Sequence, residues 1–267
     1  MSNPAETYES YMVPVLFGPW ASRLVEFAKP QRDEQVLDIG CGTGIVARCV
    51  RTRVGQAGSV AGVDLNPNML TVAASAAARE GLAIEWHEGR AEELPFPDGS
   101  FDLVLCQFAM MFFADRHAAL GEMRRVLRTA GRASLSVWQG LDRHPFYETL
   151  DDVIKKRLGM SGIESIFALG DATELRALLT QAGFEHVEIE AATMTARFPN
   201  PEAFLAGEID VDTAAIPAMQ HLDSKAREEL TASIREEMEA PLREVTQDEH
   251  VVIPFHALLV RGNRAAD

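Results

Sequence analysis

The residues best suited to chemistry lie close together early in the chain. Gly40, Gly42 and Gly44 stand at alternate positions, Asp38 precedes them, and Asp64 closes the next apolar run. Glycine lets a backbone turn sharply and approach a ligand, because no Cβ stands in the way. A carboxylate offers two acceptor oxygens, which match the vicinal hydroxyls of a ribose. Asp64 follows Gly44 by 20 residues, the separation at which an acidic side chain reaches a ribose diol. A helix starting near Thr43 would point its free N–H groups into the same turn. Two strand ends and one loop then form a cradle for an adenosine.

Positioning such a cradle requires a parallel sheet, and the pattern of the chain supplies one. Short apolar runs at residues 35–39, 59–64, 83–88, 101–106 and 132–138 alternate with helical periodicity at 67–80 and 114–128, which implies strands covered on both faces. Pro67 suits a first helical turn, Pro97-Asp98-Gly99-Ser100 suits a tight reversal, and Gly131 reads as the stop of the second helix. Beyond Trp138 the expectation is a helix at 147–158 and another at 171–182 with Asp171 as N-cap and Gly183 as stop. A strand at 187–198, a mainly helical stretch at 201–245 and a last strand at 251–261 follow.

The glycine spacing is G-x-G-x-G rather than the G-x-G-x-x-G of dinucleotide sites. Together with Gly62-Val63-Asp64-Leu65-Asn66-Pro67 it resembles the first two motifs of class I S-adenosylmethionine (SAM)-dependent methyltransferases. More narrowly, the chain is similar to the small-molecule methyltransferases related to ubiquinone and menaquinone biosynthesis. That resemblance implies an α/β, Rossmann-like seven-stranded sheet with helices on both faces. Its antiparallel last strand inserts between the fifth and sixth, and helical insertions form a cap. A single methyltransferase domain at 1–267 is expected, with an N-terminal lid at 1–30 and a SAM-binding core at 31–139. Acceptor-side insertions at 140–170 and 199–249 would interrupt the C-terminal part of the core at 171–198 and 250–262.

The resemblance also assigns roles. Backbone at Gly40, Cys41 and Gly42 passes under the methionine portion of SAM, where a side chain on Gly40 or Gly42 would take up space. Asp64 holds the ribose, and Leu65 and Met69 cover the adenine. Asp38 orders the loop or meets the amino group through water; equally, it is a strand-end carboxylate bonded to nearby backbone. Residues 89–96 resemble the third motif, but Arg90 stands where the family has an acidic residue. Arginine has donors only, so the Ala91 N–H and the Glu92 carboxylate are left to address the adenine edge, or Arg90 stacks on the ring. Gln107 and Phe108 line the sulfonium, and of Phe108, Met111, Phe112 and Phe113 at most two touch the ligand through an aromatic face. Residues 8–20 fold over the cofactor through Tyr11, Phe17 and Trp20, or simply pack on the sheet.

Composition narrows the partners. The chain has 267 residues, 47% of them hydrophobic, and a formal net charge of −15. That length suits one large α/β domain with insertions. That charge argues against nucleic-acid phosphates and anionic membrane surfaces. Cys41, Cys49 and Cys106 show no metal-ligand spacing, so no metal site is expected, and their number and placement suggest a reducing compartment. No signal sequence is evident, and the longest apolar stretch, 103–114, is too short to cross a bilayer. The expectation is a cytoplasmic monomer or homodimer acting on a small-molecule acceptor.

Transfer of a methyl group from a sulfonium is an in-line displacement that depends chiefly on alignment and exclusion of water, and holding two reactants in line contributes on the order of 7–11 kcal/mol. A base is needed only where the acceptor is a weakly acidic hydroxyl. His144, just past the fifth strand, is the histidine placed for that task, since strand C-termini face the ligand crevice. His87 and His117 read as structural, and His221 and His256 have no spacing that assigns them. Phe146, Tyr147, Phe167, Phe204, Ile209 and Met219 suggest an apolar acceptor pocket. Two other readings stand beside methyl transfer: a methyltransferase-like protein that binds SAM without transferring methyl, as a cyclase or binding module, and an NAD-dependent dehydrogenase.

Overall fold

The computed structural model describes residues 3–215 and 222–265, with the side chains of 210–215 also left undescribed. Met219 and His221 lie outside the described residues. The chain forms two compact units, one of residues 1–137, 171–192 and 257–267 and another of residues 138–170 and 193–256. Both insertions expected from the sequence fall within the second range.

In the first unit, α1 (Pro4–Thr7) leads into a π-helix (Tyr8–Phe17) and then α2 (Gly18–Ala28). Strands β1 (Gln35–Ile39), β2 (Ser59–Asp64), β3 (Glu85–Glu88), β4 (Phe101–Gln107) and β5 (Leu127–Trp138) alternate with α3 (Ile45–Val54), α4 (Pro67–Arg79) and α5 (Arg116–Val126). Helix α8 (Ala172–Gln181) precedes β6 (Phe184–Pro199), and β8 (His250–Arg264) is the last long strand. Strands β1 to β5 pair in parallel, and the sheet order is β3-β2-β1-β4-β5-β8-β6. The last long strand therefore lies between the fifth and sixth, as the resemblance implied. It pairs antiparallel with the two-residue β7 (Thr246–Gln247), an eighth strand that the sequence did not suggest.

The helix starts follow from their caps. Asn66 accepts from the Asn68 N–H at 3.0 Å ahead of Pro67, and Asp115 accepts from Ala118 at 2.9 Å. Asp171 accepts from Thr173 and Glu174 at 2.7 and 2.9 Å, and Gly183 at φ +84° ends that hairpin of helix and strand. Helix α2 buries Trp20, Leu24, Val25 and Phe27, so the core of this unit begins well before residue 31.

The end of α5 differs from the expectation of a helix at 114–128 closed by Gly131. The helix stops at Val126, and the chain is extended from Leu127 onward. Arg264, near the far end of the chain, donates one guanidinium nitrogen to the carbonyls of Arg124, Arg125 and Leu127, the shortest at 2.6 Å. A cation so placed satisfies helix-terminal carbonyls and complements the helix dipole. Gly131 instead sits inside β5, where the register against β4 shifts; a Cβ there would lie 2.8 Å from the Arg128 carbonyl and 3.2 Å from that of Asp102.

The second unit contains α6 (Pro145–Leu158), α7 (Glu164–Phe167), α9 (Pro201–Ala215) and α10 (Ser224–Glu244). Its interior is aromatic. Phe198 and Phe204 have ring centroids 4.7 Å apart, Phe146 lies 5.6 Å from Phe204, and Tyr147 lies 5.6 Å from Phe255.

Trp86 on β3 fixes the spacing of the first two strands and the glycine loop. A Cβ on Gly62 would lie 2.6 Å from the indole and 3.0 Å from Cys41 Sγ. Gly62→Ala should therefore destabilise by about 1–3 kcal/mol through overpacking, read as a lower urea midpoint at unchanged slope. An unchanged midpoint would show that the indole moves aside freely.

Candidate functional site

The loop after β1 carries three left-handed glycines, Gly40 (φ +63°), Gly42 (φ +53°) and Gly44 (φ +82°). Their surroundings differ. A Cβ on Gly40 would meet Ala109 Cβ at 2.4 Å, and one on Gly44 would meet the Trp86 ring at 2.4 Å, whereas one on Gly42 meets nothing within 4 Å. Gly40 and Gly44 are thus demanded by the protein's own packing, which corrects the expectation that a side chain on Gly40 would fill ligand space. Gly42 alone faces open volume.

Asp64 is tied to that loop. Its Oδ2 accepts from the Gly42 N–H and its Oδ1 from the Asn66 N–H, both at 2.8 Å. Each oxygen keeps a lone pair for a further donor. The Gly89 N–H donates to the Asp64 carbonyl at 3.1 Å, which joins the end of β3 to the same corner. Asp38, buried at the end of β1, accepts from the Ala47 N–H at 3.0 Å and so orders the first turn of α3. Burial, aided by the charge of Asp64, pushes its carboxyl up to about 8. Burial likewise pushes up the Cys41 and Cys106 thiols, which suits packing rather than nucleophilic chemistry. Among the described residues no cluster of ligating side chains is arranged for a metal ion.

Around this corner, Leu65 is 60% exposed and Met69 half-buried, so apolar surface is available beside Asp64. Ala91 is buried, and Arg90 is largely exposed. Glu92 Oε1 accepts from the Ala114 N–H at 2.9 Å, and its Oε2 lies 3.6 Å from Arg90 Nε. That carboxylate caps the approach to α5 instead of standing ready as a replacement acceptor. At the end of β4, Gln107 Nε2 donates to the Phe17 carbonyl at 3.0 Å, while its Oε1 is buried with no hydrogen-bond partner. Phe108 adopts φ +48° and packs its ring 5.7 Å from Trp20 and 6.2 Å from Phe17. Met111 is buried, Phe113 half-buried and Phe112 exposed. Trp20 is fully buried, a core residue rather than part of a cover.

Sequence reasoning missed Tyr8. Its phenol is pushed up by burial first and then by the charges of Glu9, Asp64 and Asp38, which places it in the field of the carboxylate corner. Tyr8 stacks on Phe17 with centroids 5.1 Å apart. Residues nine apart lie on opposite faces of an α-helix, and only the wider π-helix brings these two together. Tyr11, in the same segment, is half-buried.

In the second unit, His144 is buried and held at both ring nitrogens. Nε2 accepts from the His256 N–H at 3.0 Å and Nδ1 lies 3.2 Å from the Gly140 carbonyl, so Nδ1 carries the proton. Burial pulls its pKa down, and Phe167 packs on the ring at 4.8 Å. A neutral imidazole with its one lone pair engaged is a bridge, not a free base. His256 Nδ1 lies 2.8 Å from Thr193 Oγ1. His87 packs on Phe96 in β3, and His117 is exposed on α5. Phe146, Tyr147, Phe167, Phe204 and Ile209 are all buried. Glu208 on α9, hydrogen-bonded by Tyr147, is pushed up to about 7 by burial.

The open space before Gly42, the oriented Asp64 carboxylate, the exposed Leu65 and the orphaned Gln107 oxygen fit an adenosyl ligand with a polar amino-acid end. The methyltransferase-domain family matches residues 37–135. The ubiquinone/menaquinone biosynthesis C-methyltransferase UbiE of Stenotrophomonas maltophilia is 33% identical over 189 residues, 65% of this chain and 75% of that protein. The demethylmenaquinone methyltransferase of Thermus thermophilus is 41% identical over 42% of this chain and 51% of its own length. Among solved structures, YcgJ of Bacillus subtilis shares the fold with a TM-score of 0.60 at 22% identity, covering 92% of this chain and 98% of that one. The chain belongs to the class I SAM-dependent methyltransferases, of the small-molecule type related to the ubiquinone/menaquinone biosynthesis methyltransferases, and is an enzyme that uses SAM.

Proposed function

We propose that this methyltransferase acts on a small aromatic acceptor of the quinol class, with a ring carbon as the receiving atom. The observation that carries the reading is the 33% identity, over three-quarters of its length, to a protein named as a ubiquinone/menaquinone C-methyltransferase. The buried aromatic side chains of the second unit support an apolar ligand rather than a nucleic acid or protein tail, and no helix among the described residues is long and apolar enough to cross a membrane.

Bound SAM supplies an electrophilic methyl group on a sulfonium. The chain's own part is to bind, align and keep out water. Asp64 accepts the ribose hydroxyls through the lone pairs that Gly42 and Asn66 leave free, and Gly42 leaves room for the ligand. Leu65 and Met69 cover the adenine, while Ala91 offers its N–H, and Glu92 and Arg90 flank the same edge. Gln107 Oε1 accepts from the amino end, Gly40 and Cys41 shape the loop, and Phe108, Phe17 and Tyr11 exclude water on the other side. A carbon acceptor loses one ring proton as its new C–C bond forms, and a quinol ring is activated by its own hydroxyls. The buried, doubly engaged His144 is assigned to holding the second unit together, and a dedicated base is not required.

Incubation with SAM and 1,4-naphthoquinol under reducing conditions tests this. S-adenosylhomocysteine (SAH) should accumulate in step with methylated naphthoquinol, and Asp64→Ala should weaken SAH binding by about 100-fold, the loss of roughly 2.7 kcal/mol from hydrogen bonds to a charged group. Wild-type binding of SAH without methylation of any quinol or phenol would favour binding without transfer.

Asp38 gives an independent check. Its carboxyl, pushed up to about 8, is protonated at pH 7, and a nearby cation favours the charged form. Binding of SAM at pH 7 should therefore release a proton, and affinity should fall as pH is lowered through 8. Calorimetry in two buffers of different ionisation enthalpy should show that release for the wild type and lose it in Asp38→Asn. Equal heats in both buffers for the wild type would refute it.

A further inference from the structure

Arg48, on α3, is 4% exposed at its side chain. One guanidinium nitrogen, Nη1, donates to the Thr43 carbonyl at 2.8 Å, inside the glycine loop between Gly42 and Gly44. Nη2 donates to Glu9 Oε1 at 2.7 Å, and Nε lies 3.1 Å from Glu80 Oε1. Glu9 belongs to the π-helix, and its Oε2 is buried with no hydrogen-bond partner. A single buried guanidinium thus joins the N-terminal segment to a carbonyl of the cofactor loop.

The pair is a buried charged tie between the N-terminal segment and the rest of the unit. Between the N-terminal segment and α4 runs an open groove of about 360 Å³ whose lining includes Glu6, Glu9, Ser10, Val72, Ser75 and Arg79. At the other end the segment is fixed by the bond from Gln107 to the Phe17 carbonyl and by the packing of Phe17 on Phe108. Lifting the segment would take Glu9 from Arg48 and leave a buried cation with a half-exposed Glu80, and a buried charge deprived of a partner is strongly unfavourable.

We propose that Glu9 and Arg48 form a latch that couples closure of the N-terminal segment to the shape of the glycine loop, and so governs how long the adenosyl ligand is retained. Both are positioning residues: neither touches the ligand, and Arg48 acts through the Thr43 carbonyl. This inference rests on the SAM-binding reading of the loop.

The test is a double-mutant cycle on SAH dissociation measured by stopped-flow displacement. Glu9→Gln in the full chain should raise the dissociation rate at least about tenfold, equivalent to ~1.4 kcal/mol. Glu9→Asp, which keeps the charge, should recover part of that change. Arg48→Lys, which loses the fork, should also speed dissociation, and the double variant should be no faster than the worse single variant. A purely structural Glu9 would lower the unfolding midpoint without moving the dissociation rate. A rise below tenfold in Glu9→Gln, or additive effects of the two substitutions, overturns the latch. Should Arg48→Lys fail to fold, the comparison of Glu9→Gln with Glu9→Asp decides. Absence of SAH binding by the wild type would instead strike at the cofactor reading.

Discussion

One hydrogen bond, from the Gly42 N–H to the Asp64 carboxylate at 2.8 Å, joins the loop after β1 to the end of β2. It requires the parallel register that sets Ile39 beside Val63, and a left-handed backbone at Gly42 that turns the N–H toward the neighbouring strand. It also requires Gly44 and Gly62 to lack side chains, because the Trp86 indole occupies the volume beneath both. The interaction costs little in charge, since backbone N–H groups hold both oxygens without neutralising them. Asp64 consequently presents an oriented anion to the open space before Gly42. Asp38 stands close enough for the two carboxylates to feel one another. The Asp64 anion attracts a cationic ligand such as a sulfonium, in a chain whose net charge is already −15.

Much of this was legible from residue types because it is local. Alternating apolar runs fix the strands from residue 35 to 138, and the glycine and aspartate spacings locate the corner. What escaped depends on distant residues or on unusual helical geometry. The end of α5 is set by Arg264, contributed from the opposite end of the chain, so the nearby Gly131 was read as a stop that it does not provide. Gly40 looked like a ligand-facing glycine, yet its constraint comes from Ala109 after β4. Glu92 looked free and is occupied by the backbone at Ala114. Tyr8 was hidden because 3.6-residue periodicity puts it on the wrong face from Phe17. His144 shows the same limit: its position past β5 fits a base, but the groups that take up its nitrogens, Gly140 and His256, are visible only once the chain is folded.

The glycine spacing also shows why fold alone settles little. A dinucleotide enzyme places its third glycine where helix and strand pack under a pyrophosphate. Here Gly44 performs a packing duty one position earlier, against Trp86, and open space lies at Gly42. A Rossmann-like architecture hosts more than one chemistry. Membership of the methyltransferase family is established by sequence identity, and the proposed site sets SAM at this corner.

Phe108 carries the argument from binding to alignment. A phenylalanine at φ +48° is strained, at a cost on the order of 1–3 kcal/mol, and persists only where its surroundings insist. Its N–H donates to the Ser136 carbonyl on β5 at 3.0 Å, and its ring is wedged against Trp20 and Phe17. The bond from the preceding Gln107 to the Phe17 carbonyl then secures the π-helical segment to the end of β4. Backbone strain at Phe108 is therefore offset by contacts that also hold the segment bearing Tyr8 and Glu9. If that segment lifts, those contacts weaken and the strain is no longer supported. The N-terminal segment and the end of β4 thus support one another, and rigid support of this kind is the pre-organisation that an in-line displacement needs.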